Sequence, residues 1–209
     1  MTIAIIGTGN IGSGLAQVLS KTSHKVLVVD RNGGNAAAEK LQAEGAQVQG
    51  AELSTAAREA EIVVLATPYN ASLEVAKGAD WDGKVIIDVS NPVTEDFSAL
   101  QVGHSSSAAE SIAAAAPGAT VVKAFNTIFA QHYASGLKIN GQKLQTYVAS
   151  DSEEARTKVM QLAEEIGLEA RAAGPLSNAR YLEPLGYMNI QFGYMLGQGT
   201  GIAPNWLAA

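Results

Sequence analysis

The chain of 209 residues carries 14 Lys+Arg against 20 Asp+Glu, a net charge of −6, and no cysteine. Disulfides, thiol nucleophiles and cysteine zinc sites are excluded, and without a lysine/arginine cluster there is no electrostatic footprint for nucleic acid or an anionic membrane. With 47% hydrophobic and 16% charged residues the composition is that of a globular protein, and folding at this length buries roughly 70% of the unfolded surface, enough for a core without staples.

In chain order, residues 3–6 form a short β-branched run. The segment behind them places Ile11, Leu15, Val18 and Leu19 on one face, which predicts a strand and then a helix. The opening run has no basic flank and stops at Gly7, so it reads as a strand and not as a leader. Further strands are expected at 25–29, 46–48, 61–66, 84–89 and 120–124, with helices at 36–44, 71–77 and 107–116 between them. Continuous apolar strands alternating with helices predict a parallel sheet covered on both faces. Beyond it, 145–149 and 168–172 read as strands, and Asp151 with Glu154 reads as a capping box for a helix with Val159, Leu162, Ala163 and Ile166 on its apolar stripe. Residues 178–196 are apolar nearly all round and predict a buried final helix that packs on the sheet, covers a pocket or pairs two copies of the chain; Trp206 is placed to anchor the tail. No run is long enough to span a bilayer, and the expectation is a soluble, cytoplasmic homodimer.

Gly7-Thr8-Gly9-Asn10-Ile11-Gly12 is a GxGxxG between the first strand and the first helix. The first glycine permits the turn, the second lets backbone approach a diphosphate, and the third lets helix pack on strand, while free amides at the helix start hold the phosphates. Asp30 ends the second strand where a carboxylate accepts from a ribose 2′-hydroxyl, favouring NAD; the neighbouring Arg31 suits a 2′-phosphate, so NAD and NADP both stay open, with Asn32 beside them. Ala66-Thr67-Pro68, Asn91, Ala124 and Asn126 stand at the ends of the fourth, fifth and sixth strands, the edge where such sheets bind ligands, and complete the predicted cofactor set. The fold expected is a doubly wound Rossmann-type α/β sheet of about eight strands. It forms one domain over residues 1–209, with a dinucleotide-binding core at 1–127 and an extension at 128–209 that completes the sheet and the acceptor pocket.

Four stretches together resemble the coenzyme F420-dependent NADP oxidoreductases and the related cytosolic domain of six-transmembrane metalloreductases. They are Ile5-Ile6-Gly7-Thr8-Gly9-Asn10-Ile11-Gly12, Asp88-Val89-Ser90-Asn91-Pro92, Val121-Val122-Lys123-Ala124-Phe125-Asn126-Thr127-Ile128, and Ala173-Gly174-Pro175-Leu176-Ser177-Asn178-Ala179-Arg180-Tyr181-Leu182-Glu183-Pro184-Leu185. The resemblance implies direct hydride transfer between a nicotinamide and a flat redox partner. Two positions depart from it: Asp30-Arg31 stands where the family carries Ser-Arg for the 2′-phosphate, and Asn126 where some deazaflavin-using members carry histidine. A flavin or deazaflavin, a quinone and a metal chelate all remain open as acceptor.

Such a transfer needs proximity and stacking more than an acid–base pair. The histidines are His24, expected in a turn away from the ligand edge, His104, in a polar loop, and His132, a candidate proton donor. Lys123, at the end of a buried strand, either pairs with a carboxylate or points into the site. No metal-ligand spacing, GxSxG elbow or phosphate-binding GxxxxGK[ST] occurs. The competing readings are a dinucleotide sensor without turnover and a dehydrogenase or reductase of small hydroxyacids or imines.

Overall fold

In the computed structural model, which describes residues 1–207, six parallel strands stand in the order β3-β2-β1-β4-β5-β6. They are β1 (Thr2–Ile6), β2 (Lys25–Val29), β3 (Gln49–Gly50), β4 (Ile62–Leu65), β5 (Val85–Asp88) and β6 (Thr120–Lys123). Every residue of β4 and β5 is buried, because helices cover both faces, and this is why these strands run apolar instead of alternating, save for Asp88 at the end of β5. Alternate residues of β1 feed two separate cores. Ile3 and Ile5 pack with Leu15 and Leu19 of α1 (Asn10–Leu19), while Ala4 and Ile6 face the cluster holding Trp81 and Ile112. Strand order reverses between β1 and β4, opening a crevice at their carboxyl ends.

The helices α2 (Asn35–Ala43), α4 (Tyr69–Gly78) and α5 (Ala108–Ala115) fall where periodicity places them. Three local readings do not hold. The third strand lies at 49–50, because Ala46 and Val48 are buried as loop residues and only Gln49 and Gly50 reach register with Leu27 and Val28. A short helix, α3 (Leu53–Glu59), and after the turn helix α6 (Gln131–Ala134) a hairpin of β7 (Lys138–Ile139) and β8 (Gln142–Lys143), were not expected. The helix α7 (Glu153–Glu165) is capped by Ser152, whose Oγ accepts from the Ala155 N–H at 3.2 Å; Asp151 instead accepts from the Leu176 N–H at 3.0 Å.

The sheet count of about eight also needs correction. The strands β9 (Gln145–Val148) and β10 (Glu169–Ala172) form their own parallel pair and meet the main sheet through the antiparallel bridge Lys123–Ala149, so the extension adds a second small ladder and does not prolong the six strands. The expected domain end at Ala209 lies outside the described residues. The final apolar stretch is a 3-10 turn at Leu176–Asn178, α8 (Ala179–Ile190) and a π-helical turn at Gln191–Met195. It is not buried all round: Tyr181, Met188, Tyr194 and Met195 are exposed. Trp206 does hold the tail, its backbone N–H donating to Gln145 Oε1 at 2.8 Å and its ring edge-on to Tyr147 at 5.5 Å.

Candidate functional site

The crevice is built on the corner after β1. Gly7 has φ +96°, and a Cβ there would lie 2.6 Å from Thr67 Cγ2 and 2.7 Å from the Ala66 carbonyl; at Gly12 it would lie 1.9 Å from the Gly7 carbonyl. Only glycine lets helix α1 start this close to two strand ends. Around Gly9 the space is open, with nothing within 4 Å of an added Cβ. No side chain caps α1 and its first turn has no acidic residue, so its leading amides are free for an anion. The corner therefore fits a dinucleotide diphosphate.

At the end of β2, Asp30 accepts from the Thr8 hydroxyl and, at 2.6 Å, from the Arg31 backbone N–H. These bonds, the Thr8 hydroxyl foremost, hold its carboxyl below the usual aspartate value and keep it an acceptor. Asp30, Arg31 and Asn32 are exposed on the open rim, one strand over from the glycine corner.

Next to the corner lies a cavity of about 570 Å³, within the range of small-molecule sites. Of the residues singled out by sequence, Gly9, Asn10, Ile11, Ala66, Thr67, Pro68, Asn91 and Asn126 line it. Gly7, Thr8 and Gly12 form the corner behind. Asn126 Nδ2 donates to Asn91 Oδ1 at 2.9 Å and to the Leu182 carbonyl at 2.7 Å, and Asn91 Nδ2 donates to the Asn126 carbonyl at 2.7 Å. The two asparagines thus lock the ends of β5 and β6 to each other and to α8. Gly186 makes room for them: a Cβ there would stand 2.4 Å from Asn91 Oδ1.

Three candidates fall outside the cavity wall. Ala124 is fully buried in the core beneath it. His132 is buried on α6 with Nε2 3.2 Å from the Ile202 carbonyl, facing the tail, and does not line this space. Lys123 is fully buried, with Nζ 2.7 Å from Asp88 Oδ2 and 2.9 Å from Glu183 Oε1, and it also donates to the Ser90 carbonyl. Burial pulls the ammonium pKa down, but Asp88 and Glu183 outweigh it and the net shift is upward. Burial is also the main reason the Glu183 carboxyl is raised, as expected where one cation serves two carboxylates. Glu183 accepts besides from the Ala108 and Ala109 N–H groups at the head of α5, at 2.9 and 3.2 Å. Lys123 is therefore a structural tie whose effect on the site is indirect: it fixes the Ser90 carbonyl, and Asp88 Oδ1 accepts from the Ser90 N–H at 2.9 Å. Of the other histidines, His24 pairs with Glu165 at 2.8 Å, far from the site in sequence and packing, and His104 is exposed in its loop.

The remaining wall is aromatic, and of its residues only Tyr194 lies in a segment, 178–196, expected to cover a pocket. Phe97, Phe125, Phe129 and Tyr194 line the cavity, and two of them carry backbone strain, Phe97 at φ 58° and Phe125 at φ 62°. A bulky residue held there costs about 1–2 kcal/mol and persists only where its surroundings enforce it. For Phe125 the buried Thr146 hydroxyl accepts from its N–H at 3.0 Å. For Phe97, Tyr187 Oη and Gln191 Nε2 donate to its carbonyl at 3.0 and 2.9 Å. The loop carrying Phe97 is further tied by Asp96, held down at about 2 by the Thr94 and Ser98 hydroxyls. The π turn brings Tyr194 and Met195 to the wall, with Tyr194 edge-on to Phe129 at 5.5 Å. Among the described residues no cluster of three metal-binding side chains occurs, and no helix is long and apolar enough to cross a membrane.

Residues 2–92 match the family described as NADP oxidoreductase, coenzyme F420-dependent. The F420-dependent NADP reductase of Methanothermobacter marburgensis is 33% identical over 202 residues, covering 88% of this chain and 89% of the reductase. Metalloreductase STEAP3 of Rattus norvegicus is 31% identical over 183 residues, 88% of this chain but 36% of that protein, so the chain spans little more than a third of it. The crystal structure of the hypothetical protein SMa0349 of Sinorhizobium meliloti superposes with a TM-score of 0.77 at 28% identity, over 86% of this chain and 87% of that one.

Proposed function

The chain belongs to the coenzyme F420-dependent NADP oxidoreductase family, and on that premise we propose that it transfers a hydride directly between a bound nicotinamide dinucleotide and a planar redox acceptor of the flavin or deazaflavin, quinone or metal-chelate kind. The observation that carries this reading is the cavity running from the glycine corner to an aromatic wall, with no charged side chain lining it. Gly7, Gly9 and Gly12 hold the diphosphate against the α1 amides, Asp30 and Arg31 meet the adenosine ribose, and Thr67, Pro68, Asn91 and Asn126 bound the nicotinamide end. When bound, the dinucleotide supplies the hydride. The chain's part is to align the two rings and exclude water, which suits a wall without an acid–base pair.

In this reading residues 1–127 form the dinucleotide-binding core. The extension from 128 onward completes the acceptor side, supported by Ile128, Phe129, Asn189, Ile190 and Tyr194 on the cavity wall. A homodimer belongs to the same proposal, supported by the exposed Tyr181, Met188, Met195 and Leu196 of the C-terminal helical segment; a mass independent of concentration and equal to one chain in sedimentation would remove it. The central test is calorimetry with NADP(H) and NAD(H), followed by NADPH and NADH consumption against FMN, F420, a naphthoquinone and a ferric chelate. Saturable binding with consumption by one of these acceptors is expected. Tight binding without turnover on any of them assigns a sensor instead, and turnover on a carbonyl or imine alone assigns a small-molecule dehydrogenase.

A further inference from the structure

The lining of the cavity restricts what can sit beside the nicotinamide. None of its residues is Lys, Arg, His, Asp or Glu. An acceptor bearing a phosphate, carboxylate or chelated-metal charge inside this space would be desolvated without a counter-ion, which costs several-fold to orders of magnitude in affinity. The polar side chains present are largely committed. Both Asn126 amide hydrogens, the Asn91 amide and Asn91 Oδ1 are engaged in the lock described above, Asn189 Nδ2 donates to the Thr127 carbonyl at 3.2 Å, and Thr67 Oγ1 lies 2.7 Å from Ser72 Oγ. An isoalloxazine presents four consecutive polar atoms on its pyrimidine edge, and each needs a partner when buried. A quinone presents only two carbonyls on an otherwise apolar ring, so fewer of its polar atoms need a partner against this lining. Phe97 and Tyr194, both exposed at the cavity with Phe125 and Phe129 buried behind them, supply the aromatic surface on which such a ring packs, and the strain kept at Phe97 and Phe125 points to a functional wall.

We propose that the physiological acceptor is an uncharged fused-ring quinone of naphthoquinone size, packed against the exposed rings of Phe97 and Tyr194 without ion pairing. This rests on the hydride-transfer reading above. In the reaction the C4–H bond of the reduced nicotinamide breaks, its electron pair forms a new bond to the quinone, one proton from solvent completes the hydroquinone, and oxidised dinucleotide is left.

The test compares steady-state reduction of 2-methyl-1,4-naphthoquinone with that of its 3-sulfonate, and of riboflavin with FMN, by the wild-type chain and by Phe97→Lys. Phe97 is 42% exposed on a loop, so the variant keeps the core intact. The neutral naphthoquinone should exceed its sulfonate by about tenfold or more in kcat/KM and should exceed both flavins, and Phe97→Lys should shrink or invert the neutral-to-sulfonate ratio. An unchanged ratio in Phe97→Lys, or equal use of the sulfonate by wild type, overturns the inference. Turnover of F420 or FMN without turnover of the neutral quinone also overturns it while leaving hydride transfer standing. No turnover with any acceptor, despite saturable NADPH binding, overturns both.

Discussion

Replacing Lys123 by methionine keeps the volume of the side chain and removes its charge from a place with no water. The ammonium stands 2.7 Å from Asp88 and 2.9 Å from Glu183, both buried. At an effective dielectric constant near 20 each attraction is about 6 kcal/mol, most of it offset by taking three charges out of water. The net value of the cluster is therefore small, but the cost of breaking it is not, because Lys123→Met leaves two carboxylates buried together. A loss of about 3–5 kcal/mol in urea unfolding at pH 7 is expected. The double variant Lys123→Met/Glu183→Gln should recover part of it, since the second unpaired charge is gone. The sign with pH is fixed by the carboxylates. The Glu183 carboxyl is raised above its ordinary 4.5 by burial, and without Lys123 it rises further. A group whose folded pKa is raised stabilises the fold below that pKa and loses the contribution as pH climbs through it, so the deficit of Lys123→Met should shrink toward pH 5 and widen toward pH 8. For the wild-type ammonium, itself raised above 10.5, the contribution is present at neutral pH and fades only in strong alkali. A loss below about 1 kcal/mol, or one that grows as the pH is lowered, would refute the argument.

Three further outcomes follow from the same geometry. Asp30→Ser removes the acceptor aimed at a 2′-hydroxyl while leaving Arg31, and titrations with both dinucleotides should show the NADP-to-NAD affinity ratio rising by about tenfold; an unchanged ratio takes Asp30 out of the cofactor site. Gly186→Ala pushes a methyl group to within 2.4 Å of Asn91 Oδ1 and 2.8 Å of Asn126 Nδ2, so the asparagine lock must shift. Turnover should fall by about tenfold or more while the far-ultraviolet circular dichroism spectrum is kept, and full activity would show that the lock does not position the rings. His132→Gln loses one bond to the tail and about 1 kcal/mol of stability, with kcat within about twofold of wild type; a large kcat loss would return His132 to the chemistry.

The parts of this molecule that could be read from its sequence are those where one residue type has one physical use. The apolar run ending in Gly7 announces both β1 and the corner, because no other residue tolerates φ +96° against the Ala66 carbonyl. The Asp88–Lys123 pair was within reach too, since the two stand opposite each other in the parallel register of β5 and β6, but Glu183 enters from α8, sixty residues later, and nothing local points to it. The hairpin of β7 and β8 does carry a local signal: Asn140-Gly141, both at positive φ, is the dipeptide that a two-residue turn prefers. The third strand was misplaced because a two-residue ladder at a sheet edge leaves too little pattern to find. The final helix misled for a different reason. Its apolar pattern predicts burial, yet several of these residues are exposed and others form the wall of an open cavity, and hydropathy alone does not separate a core from a binding surface.

The same limit of hydropathy applies to the wall at which the proposed chemistry takes place. Phe97, Phe125, Phe129 and Tyr194 come from a loop after β5, the end of β6, the segment before α6 and the π turn after α8, and no spacing in the sequence relates them. What joins them is a set of polar ties outside the cavity. Tyr187 and Gln191 hold the Phe97 carbonyl, Thr146 holds the Phe125 amide, and Lys123 holds the Ser90 carbonyl on the way to Asn91. A hydride passes between two rings only at contact distance and in the right attitude, so a site for that reaction needs rigid walls more than reactive side chains. Here hydrogen bonds and a buried ion cluster lie behind apolar walls, so on the proposed reading the residues that decide activity are largely ones without catalytic chemistry of their own.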